Sequence, residues 1–281
     1  VSDAVADLIA AEGLPADYAE VVERHWKPLA DRIATRAAGH TPLIVGINGA
    51  QGSGKTTLCR FLELLLGRRG LRAVTLSIDD IYLTRTERMA LARQVHPLFA
   101  TRGVPGTHSP ALGMEVIEAI RAGRAVTLPR FDKAMDDRAP ESVPVPGPVD
   151  VLLFEGWCLG AIPQDEAALA EPVNALEAEE DVDGTWRDTV NRLLGEDYAR
   201  LFAQVDLLLM LKVGSFAEVR RNRRLQEEKL RARNPGAPGP MSPAEVDRFL
   251  SHFERLTLHM LDAMPARADL VIPIGPDQRP L

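Results

Sequence analysis

The sequence predicts an α/β protein built on a doubly wound parallel sheet, and two observations carry that reading. Five short apolar runs, LIVGIN (43–48), AVTLSI (73–78), DVLLF (150–154), DLLLMLKV (206–213) and LVIPI (270–274), are separated by helical stretches. The runs are continuous rather than alternating, as in strands covered on both faces, and strands that alternate with helices form parallel sheets. The second observation is a glycine-rich turn, GAQGSGKT (49–56), between the first run and a helix. Open α/β sheets bind their ligands at the carboxyl ends of strands, where this turn must lie.

The elements follow in order. Residues 1–38 read as helical, with apolar Val5, Leu8 and Ile9, then Val21, Val22, Trp26, Leu29 and Ile33, and with Pro15 separating two segments. An N-terminal helical cap over 1–40 is expected; a helix pair that binds a partner is the alternative. A helix at 56–66 follows the glycine-rich turn. Residues 80–110 read as irregular and too long for a routine connection, which marks a functional segment. Residues 111–121 read as helical and 126–128 as a short extended piece. The Pro-rich stretch 139–148 (APESVPVPGP) reads as a surface loop. A basic helix at 218–233 runs into a Pro/Gly-rich break at 234–240, and 218–245 is the expected lid. No repeat and no long linker divides the chain, so residues 1–281 are expected to form one domain.

The chain has 281 residues, 46% of them hydrophobic, enough to bury a sizeable core. Its 33 basic and 40 acidic side chains leave a net charge of −7. Such a surface is repelled by phosphate backbones, which argues against nucleic acid as a partner, although local basic clusters can hold a small anion. Cys59 and Cys158 form no CxxC pair and no His stands at metal-ligand spacing; this usage fits a reduced, cytoplasmic location. No apolar run approaches the ~20 residues of a membrane span. The acidic, amphipathic N-terminus (Asp3, Asp7, Glu12) is unlike a secretory or organelle signal.

The turn Gly49-Ala50-Gln51-Gly52-Ser53-Gly54-Lys55-Thr56 matches the phosphate-binding pattern G-x-x-x-x-G-K-[ST] in full. Its glycines let successive backbone N–H groups converge on phosphate oxygens, and the helix that follows adds its positive end. Lys55 is expected at the β- and γ-phosphates, Thr56 at Mg²⁺, and Thr57 beside them. ATP and Mg²⁺ are therefore the expected cofactors. Neither the N-K-x-D box of GTPases nor the LSGGQ signature of transporter ATPases is present, which leaves a kinase of small molecules.

Acids at strand ends supply the rest. Asp79, after the second strand, is the expected base that takes the acceptor's proton. Asp80 assists with substrate or metal, or caps a following helix. Glu155 closes the run DVLLF and is an expected Mg²⁺ ligand. Arg102, His108, Arg130, Lys133 and Arg138 lie in loops that should reach the same mouth and could clamp an anion. Of the arginines on the basic helix, Arg220 and Arg224 are four apart and share a face, and they are the expected partners of the transferring phosphoryl group.

GINGAQGSGKTTL, SIDDIYLT, the GVPGTH segment, PRFDK and LFEGWCLG together resemble D-glycerate 3-kinase and its relatives over about residues 40–275. The resemblance implies the P-loop kinase fold shared with uridine kinase, phosphoribulokinase and bacterial pantothenate kinase. It implies the base at Asp79 and the acid before Gly-Trp at Glu155, and its P-x-[FY]-D-x…R pattern matches Pro129, Phe131, Asp132 and Arg138; Tyr82, Asp132 and Arg138 are expected at the acceptor. The chain departs from it in reading Arg223-Arg224-Leu225-Gln226 where the family tends to W-R-L-Q, and Ser109 where it often has Asp. The expected reaction is transfer from ATP to D-glycerate, a hydroxy acid. A uridine, pantothenate or other metabolite kinase is the alternative, with only 5% aromatic residues available to stack a base. A nucleotide-sensing regulator would leave Asp79 and Glu155 idle.

Overall fold

Five parallel strands in the order β2-β7-β1-β8-β9 form the central sheet of the structure, a computed structural model that describes residues 3–39, 42–233 and 241–281. They are β1 (Leu43–Gly49), β2 (Ala73–Ser77), β7 (Val151–Gly156), β8 (Leu207–Val213) and β9 (Leu270–Ile274). Two antiparallel pairs stand apart from the sheet: β3 (Val126–Leu128) with β6 (Val143–Val145), and β4 (Phe131–Asp132) with β5 (Asp137–Arg138).

Alternate residues of each central strand feed two cores, because successive side chains of a strand point to opposite faces. Leu43, Val45, Ile47, Val151, Leu153, Leu207, Leu209 and Leu211 pack on one face. There they meet α4 (Lys55–Gly67) and the N-terminal elements α1 (Asp3–Ala11), α2 (Tyr18–Val21), a π-helical turn (Val22–Trp26) and α3 (Lys27–Ala37). Ile44, Leu76, Leu152, Phe154 and Met210 pack on the other. They meet α6 (Pro110–Arg121), α7 (Ala175–Glu180), α8 (Thr185–Gly195) and α9 (Asp197–Phe202). The long α11 (Pro243–Ala263) spans the two cores, giving Val246 and Leu250 to the first and Phe253, Leu256 and Met260 to the second. No described helix is long and apolar enough to cross a membrane.

Two stretches differ from the sequence expectation. Residues 80–110 contain α5 (Arg85–Gln94) and the 3₁₀ turn Pro97–Ala100, and begin within another 3₁₀ turn, Ile78–Ile81. A capping box between Thr84 and Glu87 starts α5, and its only buried residues are Arg88 and Ala92, so no apolar stripe announces it. The Pro-rich stretch 139–148 holds β6, which gives the extended piece 126–128 its partner outside the sheet. The basic helix is α10 (Phe216–Arg233); the Pro/Gly-rich break at 234–240 lies outside the described residues.

Gly103 locks the loop between the second 3₁₀ turn and α6. Its φ is +143°, and the ring of Phe253 lies 2.2 Å from where a Cβ would stand. Trp157 also donates its indole N–H to the Gly103 carbonyl, 2.8 Å away. Gly103→Ala should therefore lower stability by about 1–3 kcal/mol, the usual cost of overpacking. Urea unfolding at neutral pH checks this, and an unchanged midpoint would show that the ring moves aside freely.

Candidate active site

The phosphate loop is a turn that only its glycines permit. Gly52 and Gly54 have φ of +75° and +90°, and a Cβ on Gly52 would meet the Asn222 side chain at 2.8 Å. Lys55 donates to the Ala50 carbonyl at 3.2 Å. The buried side-chain oxygens of Gln51 and Ser53 have no partner among the described residues, as in a site completed by a ligand's own polar atoms. The loop's backbone curvature, its lysine and these spare atoms fit a polyphosphate.

Thr56, the second residue of α4, donates to Glu155 at 3.3 Å. Glu155 is buried at the end of β7. Burial raises its carboxyl above the usual value, with the Lys55 charge opposing the shift. A hydroxyl and a carboxylate side by side form the hard-oxygen donor set that suits Mg²⁺.

A cavity of about 420 Å³ opens beside these groups. It is lined by Gln51, Gly52, Lys55 and Thr56 from the loop and by Ser77, Asp79, Asp80, Tyr82 and Glu155 from strand ends. Arg102, Phe131, Lys133, Gly156, Trp157, Arg223, Gln226, Phe249 and Phe253 complete it. Lys133 donates to Asp79 at 2.5 Å. Burial pushes the Asp79 carboxyl up, but the Lys133 ammonium and a hydrogen bond from Tyr82 outweigh it and hold the group below its ordinary value. Asp80 accepts from the Ser77 N–H at 3.2 Å, closing a capping box, and pairs with Arg130 at 3.0 Å. It is both a cap and part of the cavity wall, and burial raises its pKa against the pull of Arg130. Arg102 pairs with Asp136, which also takes a 2.6 Å bond from the fully buried Arg88.

The structure separates the remaining residues named from sequence. His108 is buried away from the cavity lining, stacked on Tyr82 at 4.4 Å and 2.8 Å from the Tyr198 hydroxyl. Asp132 accepts from the Ala134 and Met135 N–H groups and shapes the β4–β5 turn. Arg138 donates to the Tyr82 carbonyl at 3.1 Å and lies 3.9 Å from Glu87. These three support the loops that carry cavity residues and do not line the cavity. On α10 the expected pair is displaced as well. Arg224 lies 2.5 Å from Asp247 of α11, and Arg220 lies 3.8 Å from Asp247 and 3.7 Å from Glu254. The acids of α11 draw that face aside, and Arg223 and Gln226 line the cavity instead. Sequence reasoning missed Arg223, Gln226, Ser77, Trp157, Phe249, Phe253 and the Arg88–Asp136 pair. Phe249 and Phe253 are spaced i, i+4 on an amphipathic helix, a signal that any core helix gives.

Three comparisons bear on this geometry. The chain is 35% identical over 225 residues to an uncharacterized kinase of Schizosaccharomyces pombe, covering 75% of this chain and 78% of that protein. It is 34% identical over 225 residues to the chloroplastic D-glycerate 3-kinase of Arabidopsis thaliana, covering 75% of this chain and 46% of that one, so it spans about half of that relative's length. The solved structure of D-glycerate 3-kinase from Cryptococcus neoformans var. grubii superposes with a TM-score of 0.76 at 26% identity, over 91% of this chain and 97% of the other. No family model matches the chain.

Burial holds the His108 imidazole down to about 3. Unfolded, it takes a proton near its ordinary value of about 6.5, so between 6.5 and 3 the unfolded chain binds one more proton than the folded one. The stability from the neutral ring is whole above 6.5 and is lost as pH falls toward 3, by up to about 1.4 kcal/mol per unit. Urea titrations between pH 7 and pH 5 should show a steeper decline for the wild type than for His108→Phe. Parallel declines would place the ring in contact with solvent.

Proposed function

The chain belongs to the P-loop kinases related to D-glycerate 3-kinase, and we propose that its acceptor is D-glycerate, phosphorylated on the primary hydroxyl. The observation that supports this is a single cavity lined by Lys55 and Thr56 of the phosphate loop together with Asp79, Arg102 and Lys133. A short hydroxy acid needs one base for its alcohol and one cation for its carboxylate. Of the four basic residues in reach, Arg102 and Lys133 line the cavity, while Arg130 is held by the wall residue Asp80 and Arg138 by the Tyr82 carbonyl.

In this reading Asp79 would aim the acceptor hydroxyl and take its proton as the O–P bond to the acceptor forms and the bond to the departing ADP oxygen breaks. Lys133 has two candidate partners, since its side chain is 61% exposed. If the acceptor's carboxylate draws it from Asp79, the charge that depresses Asp79 is removed and the group becomes a stronger base once substrate is present. Thr56 and Glu155 would hold Mg²⁺, Lys55 would neutralise the phosphate tail, and Arg223 would add positive charge over the transferring group. When bound, ATP supplies the phosphoryl group and Mg²⁺ screens its oxygens. Arg224 could serve only by exchanging Asp247 for a phosphate. A cytoplasmic setting accords with the free thiols Cys59 and Cys158.

One feature favours a second reading. Tyr82, Phe131, Trp157, Phe249 and Phe253 all line the cavity, an aromatic wall on which a flat acceptor such as uridine could stack.

Assays with ATP, Mg²⁺ and a panel of D-glycerate, uridine and pantothenate separate the two. D-glycerate should yield 3-phosphoglycerate by mass spectrometry. Asp79→Asn should lower kcat by ~10²–10⁴ with the KM for D-glycerate little changed, the pattern of lost base catalysis. Turnover of uridine alone would reject D-glycerate and keep the kinase.

A further inference from the structure

Asp136 carries a side chain where the backbone favours none. It closes the turn between β4 and β5 with a φ of +54°, a region that glycine enters freely and other residues rarely. The turn already has a brace of its own, because Asp132 accepts from the Ala134 and Met135 N–H groups. An unfavourable conformation that persists is a reason to look for what the side chain does there. We propose that Asp136 is a positioning residue: it fixes the Arg102 guanidinium at the acceptor cavity, so that the remaining edge of Arg102 selects an acceptor bearing an anionic group. The proposal rests on the reading of that cavity as the acceptor site.

Asp136 is itself anchored from behind. Arg88, on α5, is fully buried. Its Nη2 donates to the Asp136 carbonyl at 3.0 Å and to the Asp136 carboxylate at 2.6 Å, while its Nη1 donates to the Leu83 carbonyl at 3.0 Å. A buried cation is costly unless its donors are matched, and Asp136 supplies two of these three matches. One guanidinium thus grips both the backbone and the side chain of a single residue, which sets the direction of the carboxylate. Oδ2 turns to Arg88, and Oδ1 is left for Arg102.

The way Arg102 is held leaves it able to bind. Among the described residues it bonds only through Nη1, to Oδ1 of Asp136. Nε and Nη2 form the side edge of the guanidinium, a pair of parallel donors that matches a carboxylate in a bidentate fork. Arg102 lines the cavity, and this edge is what it has left to offer there. The guanidinium also lies over the Phe131 ring at 5.6 Å. Its backbone is fixed next door, where the Gly103 carbonyl takes the indole N–H of Trp157. A long side chain held in place before the ligand arrives loses less freedom on binding. An uncharged amide or hydroxyl would meet the same edge with weaker bonds.

Two variants remove the carboxylate in different ways. Asp136→Asn keeps an acceptor oxygen for Arg88, and Asp136→Gly suits the φ of +54°. Each should raise the KM for D-glycerate by about tenfold or more, with kcat and the KM for ATP within about twofold. The unchanged KM for ATP also reports that the variant is folded. The preference for D-glycerate over its uncharged amide, as a ratio of kcat/KM, should fall by about tenfold or more in both variants and in Arg102→Ala. Asp136→Asn combined with Arg102→Ala should be no worse than Arg102→Ala alone, because the two act through one group. Equal loss with both acceptors, additive losses in the double variant, or an unchanged KM for D-glycerate would overturn the proposal. Nitrogen NMR reads the positioning without any acceptor. The wild type should give separate Nη signals for Arg102, assigned by their absence in Arg102→Ala, and Asp136→Asn should merge them as the guanidinium rotates about its Cζ–Nε bond. Identical signals in both proteins would also overturn it. If the NMR contrast holds while the wild type ignores D-glycerate, the positioning of Arg102 stands and the acceptor assignment fails.

Discussion

The parallel register of β2, β7 and β1 is the constraint on which the site depends. Glu155 of β7 stands between Ile47 of β1 and Ser77 of β2. It shares a strand face with Val151 and Leu153, which pack into the core on the α4 side. That face is why its carboxylate reaches Thr56 at the start of α4. Register slips move every side chain of a strand to the other face. A slip of one residue in β7 would turn Glu155 toward the core of Phe154 and Leu152, and would bury a carboxylate without a partner. The hydrophobic pattern that makes the sheet and the acid that serves the site are therefore enforced together. Ser77, opposite Glu155, is also the residue that caps the turn carrying Asp79 and Asp80.

An acidic protein that binds anions must concentrate its positive charge locally. The cavity does this by pairing. Lys133 is matched by Asp79 and Arg130 by Asp80. Asp136 faces two guanidiniums, Arg88 and Arg102. Both guanidiniums lie over the Phe131 ring at 5.6 Å, and Asp137 is a second acid that acts on Arg88. Arg88 is fully buried, whereas Arg102 lines the cavity. Of the two guanidiniums, only Arg102 can therefore present its charge to the cavity.

The five sheet strands and the phosphate loop were legible because each encodes itself locally, as a continuous apolar run or as a fixed spacing of glycines, lysine and threonine. Asp79, Asp80 and Glu155 followed from strand ends alone. What failed to show depends on partners distant in sequence. The piece 126–128 reads as a strand, but nothing in it says that its partner is Val143–Val145 rather than the sheet. Helix α5 hides because a charged residue, Arg88, occupies its most buried position. On α10, a spacing of four puts Arg220 and Arg224 on one face, but the choice of face belongs to Asp247 and Glu254 of another helix. His108 looked available in a polar loop; its burial comes from Tyr82 and Tyr198.

The aromatic wall can be understood without a large acceptor. The cavity of about 420 Å³ includes the phosphate end as well as the acceptor end, so the share left for the acceptor is smaller than the whole. Water is itself a hydroxyl acceptor, and a kinase that admits it wastes its donor. Trp157, Phe249 and Phe253 give the cavity a dry side, where fixed charges act more strongly than in solvent. Phe253 packs onto Gly103, and the indole N–H of Trp157 is bonded to the Gly103 carbonyl. Arg102 is the neighbouring residue. One glycine, by accepting a ring where any other residue carries a side chain, holds the dry wall and the candidate anion-binding cation at a fixed separation. The spacing between exclusion of water and recognition of charge is thus built into the backbone rather than left to side-chain rotamers.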